Sequence, residues 1–430
     1  MYNPASPSLR FALHAAMLLA LPAVPGATVL DSLLSLLPQR YQSVISQHDR
    51  YNLQIMYTRI DRDARNVPHF DHFSFNVDAG AGHYFYPASL VKLPVAVLAL
   101  EKINALGIKG LTSRTPMRID RTLDCPISYE SADSLPSDTA SVESSVKRML
   151  LVSDNSAHNR LWEFLTKDYA NRRLAECGFG SMLLLHRFAG CDTLQNRMNN
   201  PIGFFEPRSG KVLYQQPLAE SRSVPDHNPL APFCIGSFSY RNGVLLARPY
   251  RADNLNFVPL DAIHRLVISI MFPSSVTQSK ALRLKSEDYR LLRTWMCLLP
   301  REGGWSAYVP DSGYPDNFKK YLLFGDSTRP CLPHLREFNV VGRAYGFMSD
   351  VAYFADFDAR VEFFLSATIF ANEDDIINDD QYEYASLALP FFSALGETVY
   401  EYEKTRPRRH RPDLREFMPT LPTIEKKTRP

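Results

Sequence analysis

Apolar residues recur along this chain at two periods, and their order predicts an interrupted α/β architecture. "LDSLLSLLPQRYQSVISQH" (30–48) has helical apolar spacing. "YNLQIMYTRIDRD" (51–63) and "HFDHFSFNV" (69–77) alternate in part, are rich in β-formers, and predict two strands. A turn at Pro87-Ala88 and an apolar helix follow in "GHYFYPASLVKLPVAVLALEKIN" (82–104). From about 112 to 255 the pattern shows helices, notably "SSVKRMLLVSDNSAHNRLWEFLTKDY" and "NRRLAECGF", and then a long proline-rich polar stretch with no convincing run of strands. "PLDAIHRLVISIMF" and "SEDYRLLRTWMCLLP" predict two more helices. "REFNVVGRAYGFMSDVAYFAD" and "ARVEFFLSATIFAN" read as hairpin partners, and "DDQYEYASLALPFFSALGETVYEYEK" as a last helix.

Strands at both ends with helices between predict an α/β fold: one antiparallel sheet flanked by helices, with an all-helical domain inserted. The boundaries are 28–111 and 256–403 for the α/β domain and 112–255 for the helical insert. Residues 404–430, basic and proline-rich, read as a disordered tail. Residues 1–27 read as a secretory signal: Arg10, an apolar run from Phe11 to Val24, then Gly26 and Ala27. The expected location is therefore periplasmic or secreted. No later segment reaches the roughly 18 uninterrupted apolar residues of a spanning helix, so no stable membrane span is expected once the signal is removed.

A net charge of +2 argues against nucleic acid as a partner. The eleven histidines show no HExxH spacing and nothing matches GxxxxGK[ST], so neither a metal nor a nucleotide cofactor is expected. The six cysteines contain no CxxC pair; in an exported chain they allow one to three disulfides, with 15 full pairings open.

Two short motifs carry chemistry. Ser89 and Lys92 stand three residues apart at the start of the apolar helix, so an amine can reach a hydroxyl on one face. Burial of that face would lower the lysine pKa and let Lys92 take the Ser89 proton. The competing reading is a capping serine followed by a solvated lysine. A second Ser-x-x-Lys, Ser144–Lys147, lies on an amphipathic helix and reads as coincidence. The other motif is Ser153-Asp154-Asn155, at the end of a helical apolar run.

Together these residues resemble the penicillin-recognising serine hydrolases, and the class A β-lactamases most closely, over about residues 50 to 400. The resemblance implies that Ser89 is acylated, Lys92 shares the base role, Ser153 relays a proton to the leaving nitrogen, and Asn155 holds the substrate amide. It implies that Asp154 orients the loop. The family's K-T-G strand motif falls at "EFNVVGRAYGF", where Gly342 matches but Val340 and Val341 replace lysine and threonine. Arg343 would point away from the side of residue 340, leaving its backbone N–H as an oxyanion donor. Arg187, Arg197 and Arg336 are the other cations considered. The family's water-activating glutamate has no convincing counterpart in "HRFAGCDTLQNRMNNPIGFFEPRSG", where Glu206 and Asp192 are the carboxylates on offer.

The resemblance thus implies an exported, monomeric serine hydrolase acting on a β-lactam or a peptidoglycan-derived amide through a slowly released acyl-enzyme. The alternative is a degenerate penicillin-binding-like protein that serves as a binding or scaffold module.

Overall fold

The computed structural model describes residues 28–77, 84–130, 139–305, 307–326 and 330–422, so the expected signal at 1–27 lies outside the described residues. Five strands form one antiparallel sheet: β1 (Gln54–Arg62), β2 (Pro68–Phe75), β3 (Leu335–Ala344), β4 (Phe347–Asp356) and β5 (Val361–Phe370), in the order β3-β4-β5-β1-β2. The first hairpin pairs Tyr57 with Phe73, and β1 joins β5 through Tyr57 and Leu365. β4 and β5 are buried along their whole length, so they read as nearly continuous apolar runs rather than as alternation. Pro68 opens the edge strand β2, where a missing N–H costs no ladder bond.

The pleat sends alternate residues into two cores. Val341, Met348, Leu365 and Ile369 meet α1 (Val29–Ser35) and a C-terminal helix, Leu389–Thr405. Val340, Val351, Tyr353 and Phe364 face the other core. That second core holds α3 (Lys92–Ala105), α4 (Val142–Val152), α5 (Asn155–Leu165), α6 (Lys167–Glu176), α7 (Leu260–Met271) and α8 (Ser286–Cys297); α2 is the short Gln42–Ser46. The expected class, an antiparallel sheet flanked by helices, is what the structure shows.

Two expectations are corrected. The insert is not all-helical: Met117–Ile119, Ile202–Phe205 and Val212–Gln216 form a small sheet, and further short strands pair between 198 and 251. These strands are two to five residues long, too short to display a period of two. The basic tail is packed against the body over 404–422 rather than disordered there, and the remaining 423–430 of the expected tail lie outside the described residues. Arg406 bonds Glu403 and Asp61 at 2.6 Å each, Arg408 also reaches the buried Glu403, and the Phe417 ring lies 5.0 Å from that of Tyr353. The neighbouring, buried Glu403 and Asp61, which is far away in sequence, neutralise what looks locally like a charged, solvated run.

A disulfide joins Cys125 to Cys191 and straps the loop after Met117–Ile119 to the one after α6; the other four cysteines are free. Among the described residues no helix is long and apolar enough to cross a membrane.

Candidate active site

The Tyr86-Pro87-Ala88 segment turns sharply into a 3-10 turn, Ala88–Val91, that leads directly into α3. Ala88 has φ of +45°, a conformation that costs an L-residue energy and that the packed surroundings must hold in place. Ser89 is half-buried between fully buried neighbours and makes no capping hydrogen bond, so the capping reading does not describe it.

Lys92 is 1% exposed. Its Nζ lies 2.9 Å from Ser89 Oγ, 2.9 Å from Ser153 Oγ and 2.6 Å from Asn155 Oδ1, and it also contacts the Ser153 carbonyl oxygen. Four oxygens surround a group that has three protons as an ammonium and two as an amine. The carbonyl and amide oxygens can only accept. A neutral amine satisfies both with its two N–H groups and turns its lone pair toward a serine hydroxyl. Burial drives the Lys92 pKa down to about 7, against an opposing pull from Asp154. Geometry and desolvation therefore agree on an amine able to accept a proton near neutral pH.

The loop between α4 and α5 presents the other two groups. Ser153 ends α4 in the left-handed conformation, φ +61°, which swings its hydroxyl off the helix axis toward Lys92. Asp154 caps α5 by accepting from Ala157 N at 2.8 Å, which fixes Asn155 as the first helical residue. The side chain of Asp154 is thereby used in holding the loop.

β3 closes the other side. A Cβ on Gly342 would stand 2.3 Å from the Pro87 carbonyl oxygen, so only glycine lets this strand pack on the nucleophile turn. Val340 is buried on the site's side of the sheet. Arg343 is exposed on the opposite face, its guanidinium 5.8 Å from the Tyr384 ring centre. The other arginines considered are engaged elsewhere: Arg187 with buried Glu163 at 2.9 Å, Arg197 with Asp226, and Arg336 with Glu302 at 2.8 Å.

Neither carboxylate of the following loop serves the site. Glu206 accepts from Ser209 N at 2.6 Å, and Asp192 from Gln195 N at 2.7 Å; both hold local turns. Instead the loop offers an aromatic ring. Phe188 lies 5.0 Å from Lys92 Nζ and is fixed by Asn159, which accepts from its N–H at 2.9 Å and donates to its carbonyl at 3.0 Å. His158 packs 4.7 Å from Phe188, and burial, with Lys92 nearby, holds it well below the usual histidine pKa. Sequence reading missed Phe188. Its signal was the aromatic in "HRFAG", which carries no meaning until Asn159 docks it on α5.

A family model described as the β-lactamase enzyme family matches residues 38–201, the segment that holds Ser89, Lys92, Ser153 and Asn155. That match bears out the resemblance read from the two motifs. A search of curated proteins finds no match. Among solved structures, the β-lactamase of Sphaerobacter thermophilus DSM 20745 is 12% identical, with 85% of this chain and 97% of that one covered and a TM-score of 0.47. A class A β-lactamase from Bacteroides cellulosilyticus DSM 14838 is 11% identical, covering 88% and 100%, also at 0.47. The chromosome-encoded β-lactamase of Vibrio parahaemolyticus is 13% identical, covering 85% and 99%, at 0.47.

Proposed function

We propose that this chain is a serine hydrolase that opens a β-lactam or a related cell-wall amide by forming an ester on Ser89. The observation that carries the reading is the buried Lys92 amine, set among the hydroxyls of Ser89 and Ser153 and the amide oxygen of Asn155. In the acylation step Lys92 takes the Ser89 proton as Oγ attacks the carbonyl carbon. The backbone N–H groups of Ser89 and Arg343 stabilise the oxyanion. When the tetrahedral intermediate collapses the C–N bond breaks, and Ser153, in contact with Lys92, passes a proton to the leaving nitrogen. Asn155 holds the substrate's amide.

Deacylation needs a water molecule and a base, and the loop that faces Lys92 offers Phe188 there. The ester is therefore long-lived, and the protein traps its substrate more readily than it turns it over. The expected site of action is outside the cytoplasm, which the leader-like N-terminus and the Cys125–Cys191 bond both support.

Mass spectrometry of the purified protein with benzylpenicillin tests this. The expected result is one adduct, on Ser89, persisting for many minutes and absent from Ser89→Ala. Rapid turnover without a trapped adduct would remove the slow-release part. Absence of both adduct and hydrolysis would favour a binding or scaffold role.

A further inference from the structure

The turn between β1 and β2 meets the strap that follows the last helix at a cavity of about 590 Å³. Asp61, Asp63, Arg65, His69, Arg409 and His410 line it, and Arg62 stands among them. It lies at the β2 edge of the sheet, whereas β3 with Gly342 forms the opposite edge, so nothing here rests on the acylation reading.

Most of the charges at this cavity are already used. Arg62 bonds Glu362 at 2.6 and 2.8 Å. Asp61 accepts from Arg406 at 2.6 Å, and Arg408 turns inward to Glu403. Asp63 accepts from the backbone N–H groups of Arg65 and Val67 at 2.8 Å each and lies 3.9 Å from His69. Arg65 and Arg409 are the exceptions. Both are exposed, and among the described residues neither guanidinium has an ion-pair or hydrogen-bond partner. Other exposed arginines of this region do find carboxylates: Arg59 takes Asp71 at 2.7 Å and Arg415 takes Asp413 at 2.9 Å.

The two unpaired arginines stand on backbone that is locked together. Next to Arg65, Asn66 adopts φ of +62°, donates to the Asp413 carbonyl at 3.0 Å and accepts from Asp413 N at 2.9 Å. Beyond Arg409, Arg360 donates to the carbonyls of Arg411 and Pro412 at 3.0 and 3.1 Å. Before it, Arg406 and Arg408 anchor the strap on Glu403. Two guanidinium groups thus face one cavity from walls already fixed to each other, which lowers the ordering cost of a ligand that bridges them.

We propose that this cavity binds a phosphate group, held by Arg65 from the turn and Arg409 from the strap. A phosphate presents acceptor oxygens in several directions and so suits two forks, whereas a carboxylate fills one. The cavity has room for more than the phosphate itself, which fits a phosphate attached to a larger molecule, either a lipid headgroup or a soluble phosphorylated compound.

The test titrates the full chain with inorganic phosphate by calorimetry at about 0.15 M salt, where loose surface attraction is screened. A second arm sediments it with phosphatidylcholine vesicles, with and without phosphatidylglycerol. Saturable phosphate binding is expected, weakened roughly tenfold or more by Arg65→Gln with Arg409→Gln. The Arg65→Lys, Arg409→Lys pair keeps part of it, since charge survives and the fork does not. Arg118→Gln, which removes an exposed arginine of the insert, leaves it unchanged. A melt of each variant confirms that the fold is kept. Vesicle binding that requires phosphatidylglycerol and is lost in the double Gln variant would identify a lipid headgroup as the source. Phosphate binding without vesicle binding would identify a soluble compound. No saturable binding in either arm would overturn the inference, and so would a double Gln variant that binds like the wild type or an equal loss in Arg118→Gln.

Discussion

The chain contains the same tetrad twice, and the two copies do different things. Ser89–Lys92 and Ser144–Lys147 have identical spacing at the start of a helix. At the first, the amine is buried, has no ion-pair carboxylate among the described residues, and is ringed by oxygens. At the second, Ser141 and Ser144 close a capping box, with the two backbone N–H groups bonded at 2.9 and 3.0 Å. Lys147 is 28% exposed and pairs with Glu143 at 2.8 Å, one turn back. That amine has a carboxylate at contact distance and access to water, neither of which Lys92 has. Spacing sets reach; desolvation and the lack of a counter-ion set reactivity.

The sharpest break of this comparison is to remove each amine in turn. Lys92→Met is expected to slow Ser89 acylation by roughly 10²–10⁴-fold, the usual worth of a positioned base. It also leaves the Ser153 carbonyl and Asn155 Oδ1 without their donor. Acylation within a few-fold of wild type would assign the base role elsewhere. The pH profile sharpens the same point. With the Lys92 pKa near 7, the free amine is the minor form below that pH, so acylation falls as pH drops through about 7 and levels off above it. The linkage has a matching sign: the unfolded chain holds the Lys92 proton up to its ordinary pKa of 10.5, the folded chain only up to about 7. Stability contributed by this site therefore rises with pH across that window. A rate flat from pH 5 to 9 would exclude Lys92 as the proton acceptor.

The second break concerns what holds the first tetrad in place. Gly342→Ala puts a methyl group 2.3 Å from the Pro87 carbonyl, against backbone that cannot swing aside as a side chain can. Either β3 or the nucleophile turn must shift, at about 1–3 kcal/mol in stability. A misplacement of that kind costs roughly 10²-fold in rate. The measurement pairs a denaturant melt with the adduct rate; an unchanged rate would show that β3 does not position Ser89.

Which parts were legible from sequence follows from the length over which each signal accumulates. β1, β2 and the three C-terminal strands run eight to ten residues, enough to show their period or their apolar run. The two motifs were readable because the tetrad and triplet are contiguous, and the structure brings Ser89, Lys92, Ser153 and Asn155 around one amine. The short strands near 198–251 and the packed tail were not readable, since their stability comes from partners such as Asp61, some 345 residues from Arg406. Phe188 acquires meaning only from what it meets, Asn159 and Lys92.

The smallest expected effect completes the comparison because it is close to nothing. Lys147→Met removes the pair with Glu143 but leaves that carboxylate bonded to Arg114 at 2.9 Å, and leaves the capping box intact. Exposed pairs one turn apart on a helix contribute about 0.3–0.5 kcal/mol; Glu143 is largely buried but keeps Arg114, so the melt shifts by a little more than that and the Ser89 adduct rate does not change. If Lys147→Met slowed acylation as Lys92→Met does, the two tetrads could not differ by environment in the way argued, because α4 would be transmitting a charge effect from its middle to Ser153 at its end. The expected null at Lys147 therefore separates a local desolvated amine from a general sensitivity of the helix that carries Ser153.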